Sequence, residues 1–128
     1  MPYIKSEDRK IVNETRTASN AGELNYLITK ECLKYIETNG EKYQHYNDII
    51  GALESIKIYL FLHQRNDNPF DSASDSITEK LIWKIINLIN PNLLVLDVIG
   101  ALEGAKLEMY RKQIAPYEDI KEKQNGSL

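Results

Sequence analysis

The sequence predicts an all-α protein, a helical bundle built from two repeated helical hairpins with approximate two-fold pseudo-symmetry. Two observations predict it. Asp48-Ile-Ile-Gly-Ala-Leu-Glu-Ser-Ile-Lys-Ile-Tyr-Leu-Phe61 aligns without gaps on Asp97-Val-Ile-Gly-Ala-Leu-Glu-Gly-Ala-Lys-Leu-Glu-Met-Tyr110, with seven of fourteen positions identical at an offset of 49. Carried backwards, that offset pairs Ile28-Thr29 with Ile77-Thr78 and Ile36 with Ile85, so the repeated unit extends beyond the motif. Apolar residues also recur every three or four positions between capping signals, and no convincing strand pattern interrupts them. A lone amphipathic hairpin leaves an apolar face wet, and a covalently tethered twin covers it.

The elements follow in order. Residues 1–19 form an N-terminal segment in which Ser6, with Glu7 and Asp8 behind it, caps a short helix to about Glu14. Hairpin 1 spans 20–63. Asn20 and Glu23 have capping-box spacing and Asn39-Gly40 supplies a stop, so its first helix runs over about 21–38. Its second helix runs from about Lys42 to Leu62. The polar stretch 64–74, rich in Asn and Asp with one Pro, reads as a linker. Hairpin 2 spans 75–115: Ser76 and Glu79 repeat the capping box, and Ile77, Leu81, Ile85 and Leu88 mark a core-facing helix. Asn90 with Pro91 reads as N-cap and first residue of the last long helix, which Pro116 bounds, leaving 116–128 as a tail.

At 128 residues and 14.8 kDa, with 42% hydrophobic and 27% charged side chains, the chain has room for one domain with a real core. Sixteen basic against nineteen acidic residues give a charge of -3 with no basic block, which argues against nucleic acid as a partner. The single Cys32 excludes an internal disulfide and a multi-cysteine zinc site, and is most simply a small buried hydrophobe. No apolar run is long enough for a membrane span and the start is too polar for a secretory signal, so a cytoplasmic, soluble protein with no membrane partner is expected.

On a helical wheel Leu94, Val95, Val98, Leu102, Ala105 and Met109 share one apolar sector while Leu93, Leu96 and Leu107 occupy the other side, which predicts a helix surrounded by its neighbours. Gly100 with Gly104, and Gly51 with Ser55, form small-residue notches, read as places of close helix packing in preference to a ligand notch. Glu54 and Lys57 in one copy correspond to Glu103 and Lys106 in the other. Two arrangements stay open: solvated pairs within each helix, or reciprocal structural ion pairs, Glu54 to Lys106 and Glu103 to Lys57, that fix the register of the hairpins.

A second stripe of Asp97, Ala101, Gly104, Glu108 and Arg111 begins in the first copy at Asp48, but Tyr59 and Leu62 replace its Glu and Arg. Asp48, Asp97, Glu108 and Arg111 are therefore candidates for a small, nucleotide-like ligand at the helix crossing. The carboxylates are too sparse for a magnesium site, His45 and His63 lack zinc spacing and read as solvent-exposed, and no phosphate loop or nucleophile elbow occurs; no metal, cofactor or catalytic residue is assigned. Eight tyrosines against two phenylalanines favour binding surfaces. In the tail, Tyr117, Glu118, Asp119 and Lys121 are candidate partner contacts, against the alternative of a strap or a disordered end.

Met1-Pro-Tyr-Ile, Gly22-Glu-Leu-Asn-Tyr26, Asn47-Asp-Ile-Ile-Gly-Ala-Leu-Glu54, Ala101-Leu-Glu-Gly-Ala-Lys-Leu-Glu-Met-Tyr-Arg111 and Ala115-Pro-Tyr-Glu-Asp-Ile-Lys121 together resemble a family of small uncharacterised proteins of phages and bacteria. In that family the blocks follow one another once, so the resemblance implies a member with one extra hairpin. Leu96 stands where the family motif has Asn, and the first copy lacks the Glu-x-Tyr-Arg ending. The resemblance implies a phage or prophage setting and supplies no activity.

If single-hairpin relatives must pair to cover an apolar face, this chain is a covalent version of that pair, a monomeric bundle or an assembly of fewer chains. The expected function is that of a non-enzymatic phage-type accessory protein acting by protein–protein binding or self-association. The rival is binding or sequestration of a nucleotide-like ligand, with metal-dependent hydrolysis a lesser form of it, and a virion component is a third reading.

Overall fold

The computed structural model describes residues 4–63 and 76–126, and their regular structure is entirely helical. Six α-helices follow one another: α1 (Ser6–Thr15), α2 (Ala21–Asn39), α3 (Tyr43–His63), α4 (Ile77–Ile86), α5 (Val95–Met109) and α6 (Ala115–Asn125). A π-helical turn, Tyr110–Ile114, joins the last two without a break. None of these helices is long and apolar enough to cross a membrane. The expected linker at 64–74 lies outside the described residues.

Local chemistry explains most helix ends. The Asn20 side chain accepts the Glu23 amide at 2.9 Å, and Glu23 reaches back to the Ser19 amide at 2.9 Å, so the capping box closes one residue further out than the simplest form. Gly40, at φ 98°, stops α2 and its amide donates to the Ile36 carbonyl. Ser76 Oγ accepts the Glu79 amide at 3.3 Å at the start of α4.

Three expected boundaries differ. Lys5, not Ser6, is the N-cap of α1, and its side chain makes no capping bond. α5 begins at Val95 instead of Pro91 because Asn90 is engaged elsewhere. Its Oδ1 accepts the Asn92 amide at 2.9 Å, closing a turn, while its Nδ2 donates to the Ala18 carbonyl at 3.2 Å. Pro116 does not end the helix, so the expected tail from 116 onward is helical to Asn125. In an α-helix the proline ring would meet the carbonyl four residues back and its missing N–H would break the ladder. The wider π winding just before it, with the Ala115 amide donating to the Tyr110 carbonyl, lets the chain turn past that obstacle.

α2 packs chiefly on α5 and α4 on α3, while α3 crosses α5 and α1 lies against α2. Each hairpin therefore finds its main cover in the other. Leu24 and Ile28 of α2, Ile49, Leu53, Ile56 and Leu60 of α3, Ile85 of α4, and Val98, Leu102 and Met109 of α5 fill one continuous core. Full burial of one such side chain contributes roughly 1.5–3 kcal/mol.

The two motif copies are buried, half-buried or exposed alike at eleven of their fourteen aligned positions, the exceptions being Asp48/Asp97, Ser55/Gly104 and Tyr59/Glu108. The preceding helices do not keep the offset of 49: Ile28 is fully buried, whereas its expected equivalent Ile77 is largely exposed. An offset of 50 restores the match, with Glu31, Cys32, Tyr35 and Ile36 buried like Leu81, Ile82, Ile85 and Ile86. From Ile36 to Asp48 is twelve residues and from Ile86 to Asp97 eleven, so one offset cannot hold on both sides of the connection.

α5 is not surrounded. Val98, Leu102, Ala105 and Met109 are buried, but Leu94, Leu96 and Leu107 face outward, Leu96 with 77% of its surface exposed. Gly51 and Gly100 also face open space, and a methyl group on either would touch nothing. Only Gly104 serves close packing, where a methyl group would run into the Asn25 amide of α2.

Candidate functional site

At the crossing of α3 and α5 four charges close a ring. Lys57 Nζ lies 2.8 Å from Glu54 Oε1 and 2.5 Å from Glu103 Oε2. Lys106 Nζ lies 3.0 Å from Glu54 Oε1 and 2.8 Å from Glu103 Oε1. The within-helix pairs and the reciprocal pairs thus coexist, each carboxylate accepting from both ammonium groups. The spacing of three brings Glu and Lys to one side of each helix, and the crossing sets the two sides against each other.

Hydrogen bonds from Lys57 and Lys106 hold the Glu54 carboxyl below its usual range, and those from Lys106 and Lys57 do the same for Glu103. Burial pulls Lys57 down, but its bonds to Glu103 and Glu54 prevail and leave it above the usual lysine value. Bonds to Glu103 and Glu54 raise Lys106. Every member is held charged, so the ring offers neither a general acid nor a general base poised near neutral pH. It is an ion-pair network that ties α3 to α5.

Next to the ring a groove of about 450 Å³ opens between α3 and the C-terminal end of the bundle. Tyr43, Tyr46, Ile50, Leu107, Tyr110 and Tyr117 line it, with Lys106 and Glu118 at its margin. The Tyr46 and Tyr117 rings pack with centroids 5.3 Å apart, which docks the first turn of α6 on α3. Burial, then the bond its hydroxyl donates to Glu41 Oε2 at 2.7 Å, push the Tyr46 phenol well above its usual range. Tyr43 and Tyr110 instead present open rings, 69% and 50% exposed.

Of the expected partner contacts, Tyr117 is half-buried in this groove with the Lys121 ammonium 5.6 Å from its ring centroid. Glu118 is exposed at the rim, Lys121 lines the adjoining surface with Glu122 and Asn125, and Asp119 is exposed and lines neither. Tyr117 packs on α3 through Tyr46, while residues 118–125 are all exposed and α6 has no buried side chain. No functional motif in the sequence marks Tyr43, Tyr46 or Tyr110. The excess of tyrosine was the available signal, and the course of the chain past Pro116 brings Tyr117 to the groove beside Tyr46.

The four candidate ligand residues are dispersed. Asp97 and Arg111 border a shallow groove of about 420 Å³ between α2 and α5, beside Gly100 and Gly104. Glu108 lies on the same α2-facing side of α5, buried, its carboxylate 3.1 Å from Arg111 Nη2. Asp48 is held by two donors, Tyr35 Oη at 2.9 Å and Gln44 Nε2 at 2.8 Å. Burial, with that bond to Asp48 next, pushes the Tyr35 phenol up to about 12.

Among the described residues no group of three or more His, Cys, Asp or Glu side chains is arranged to hold a metal. His45 is half-buried, not solvent-exposed as expected, because its Nδ1 meets the Gly40 carbonyl at 2.8 Å. His63 is exposed against the Tyr59 ring. Burial, reinforced by the neighbouring Glu31 charge, raises the Cys32 thiol to about 12, which leaves it unreactive. Glu31, which carried no sequence signal, is buried and paired with Arg16 at 3.0 Å.

The chain belongs to the family described as Domain of unknown function (DUF6899), whose model matches residues 1–75 and 92–128. Both copies of the repeated motif lie in the matched stretches, and α4 lies between them. No curated protein and no solved structure matches the chain.

Proposed function

We propose that this member of the DUF6899 family is a non-enzymatic binding protein that engages a protein partner through the tyrosine-lined groove. One observation carries the reading: Tyr43, Tyr110 and Leu107 stand exposed around a concave surface whose floor, Tyr46 and Ile114, is already packed. Tyrosine gives large contact area at little entropic cost and is enriched at energetic centres of interfaces. Glu118 at its rim supplies charge for steering. Self-association through the same face is the variant in which the partner is a second copy. The phage-type accessory setting in a host cytoplasm, and the virion reading, rest on the motif resemblance.

The groove depends on how the hairpins are joined, and we infer that they are related by an approximate two-fold axis through the charge ring. The like burial of the two motif copies and the reciprocal Glu–Lys pairs support this relation. A single nucleotide-like site made of Asp48, Asp97, Glu108 and Arg111 has less support, because Asp48 lies apart on α3, held by Tyr35 and Gln44, and the Glu108 carboxylate is already taken up by Arg111.

Copurification from an infected or lysogenic host, comparing the native chain with Tyr43→Glu and Tyr110→Glu, tests the reading. Both residues are exposed, so helicity and Tm should persist while a partner held by the native chain is lost. Equal recovery of the same partners by all three proteins would refute the groove as the contact.

A further inference from the structure

We propose that a second cleft, enclosed by α1, α2 and the π turn, binds a small amphipathic anion: a carboxylate carried on an apolar body about the size of one aromatic ring. The cleft measures about 190 Å³. Its apolar surface comes from Tyr26 and Leu33 of α2 and Met109 of α5, and its rim carries Arg9, Lys30 and Lys112. An apolar cavity of about 150 Å³ suffices for benzene, which sets the size of the body.

The cations are positioned. Arg9 Nε donates to the Ile4 carbonyl at 3.1 Å, and its guanidinium carbon lies 5.9 Å from the Tyr26 centroid. Lys30 Nζ donates to Asn13 Oδ1 at 3.1 Å and lies 5.5 Å from the same centroid. Asn13 Nδ2 in turn donates to Tyr26 Oη at 2.9 Å, so α1 braces the ring and both charges together. Lys112 stands on the π turn, whose wider winding carries it off the α-helical track of α5.

Among the described residues Arg9, Lys30 and Lys112 form no ion pair with a carboxylate. Glu108 also lines the cleft, but its carboxylate is engaged with Arg111, and three cations against one acid leave the rim positive. An anion would give these cationic donors a charged acceptor in place of neutral oxygens. A bare anion would leave the apolar floor wet, and an apolar cation would meet like charge. The ligand therefore needs both halves. This site is separate from the tyrosine groove, and its failure would leave the protein-binding reading untouched.

Amide NMR on the full chain tests the proposal, with phenylacetate as probe and acetate, benzyl alcohol and phenethylamine as controls. Phenylacetate should shift Tyr26, Leu33, Met109 and Gln113, with each control at least about tenfold weaker, the equivalent of about 1.4 kcal/mol. Lys30→Gln and Lys112→Gln, both exposed and expected to keep the native Tm, should each weaken phenylacetate about fivefold. Absence of shifts at the cleft, binding of phenethylamine equal to that of phenylacetate, or indifference to both lysine substitutions would overturn it.

Discussion

The two copies of the fourteen-residue motif are buried alike yet end differently. In the first copy Tyr59, Leu60 and Leu62 close α3 at His63. In the second, Glu108, Met109 and Arg111 lead into the π turn, and the chain continues as α6, whose Tyr117 packs on Tyr46 of α3. The shared part faces the core and the opposite hairpin. The divergent part builds both clefts that border the π turn. On the proposed function, the repeated part is a scaffold and its divergent ends are the recognition surfaces.

The sharpest way to break this comparison is to truncate the equivalent core residues. Leu53→Ala and Leu102→Ala each remove a fully buried side chain and should each cost about 2–5 kcal/mol by denaturant unfolding. Similar losses fit equivalent environments, and a near-neutral result at either would separate the copies. The glycines give a smaller effect with a defined sign. Gly51→Ala and Gly100→Ala meet open space in a helix and should each stabilise by about 0.5–1 kcal/mol. Gly104→Ala must displace the Asn25 amide, which accepts the Thr29 hydroxyl at 3.1 Å through its Oδ1, and should forfeit that gain.

The ring should couple modestly, because its carboxylates are a little over a third exposed. Double-mutant cycles on Glu54/Lys106 and on Glu103/Lys57 should each return about 0.5–1 kcal/mol, of similar size. Its pH dependence has two edges. Glu54 and Glu103 are lowered in the folded chain, so their contribution is present above the ordinary value of 4.5 and lost as pH falls through their folded values. Lys57 and Lys106 are raised, so theirs is present below the ordinary 10.5 and lost as pH rises past their folded values. Unfolding of the native chain and of Glu54→Gln/Glu103→Gln across pH 3–8 should converge at the acid end.

What the sequence made legible was local. The Asn20–Glu23 box and Gly40 place α2 within a residue of its observed bounds, since both act through neighbouring amides. Glu54, Lys57, Glu103 and Lys106 were readable as a repeated set, although only the crossing angle decides that all four meet. The start of α5 was not legible, because Asn90 answers to the distant Ala18 carbonyl as well as to its own turn. Pro116 is an ordinary stop signal whose effect the π winding removes, and that winding brings Tyr117 to the groove beside Tyr46. A wheel likewise shows that Leu96 and Leu107 oppose the core sector, but not that nothing covers them.

The central claim is the two-fold relation of the hairpins, with an offset of 50 between α2 and α4 and 49 between α3 and α5. Spin labels at Lys34 and Leu107 report one half of that relation, and labels at Lys84 and Ile58 report its counterpart. All four positions are exposed, and the buried Cys32 is shielded from labelling. Pulsed electron–electron distance measurements on the two doubly labelled chains should give coincident distributions. Two clearly separate distances would contradict the relation, and with it the picture of one duplicated scaffold carrying two divergent ends.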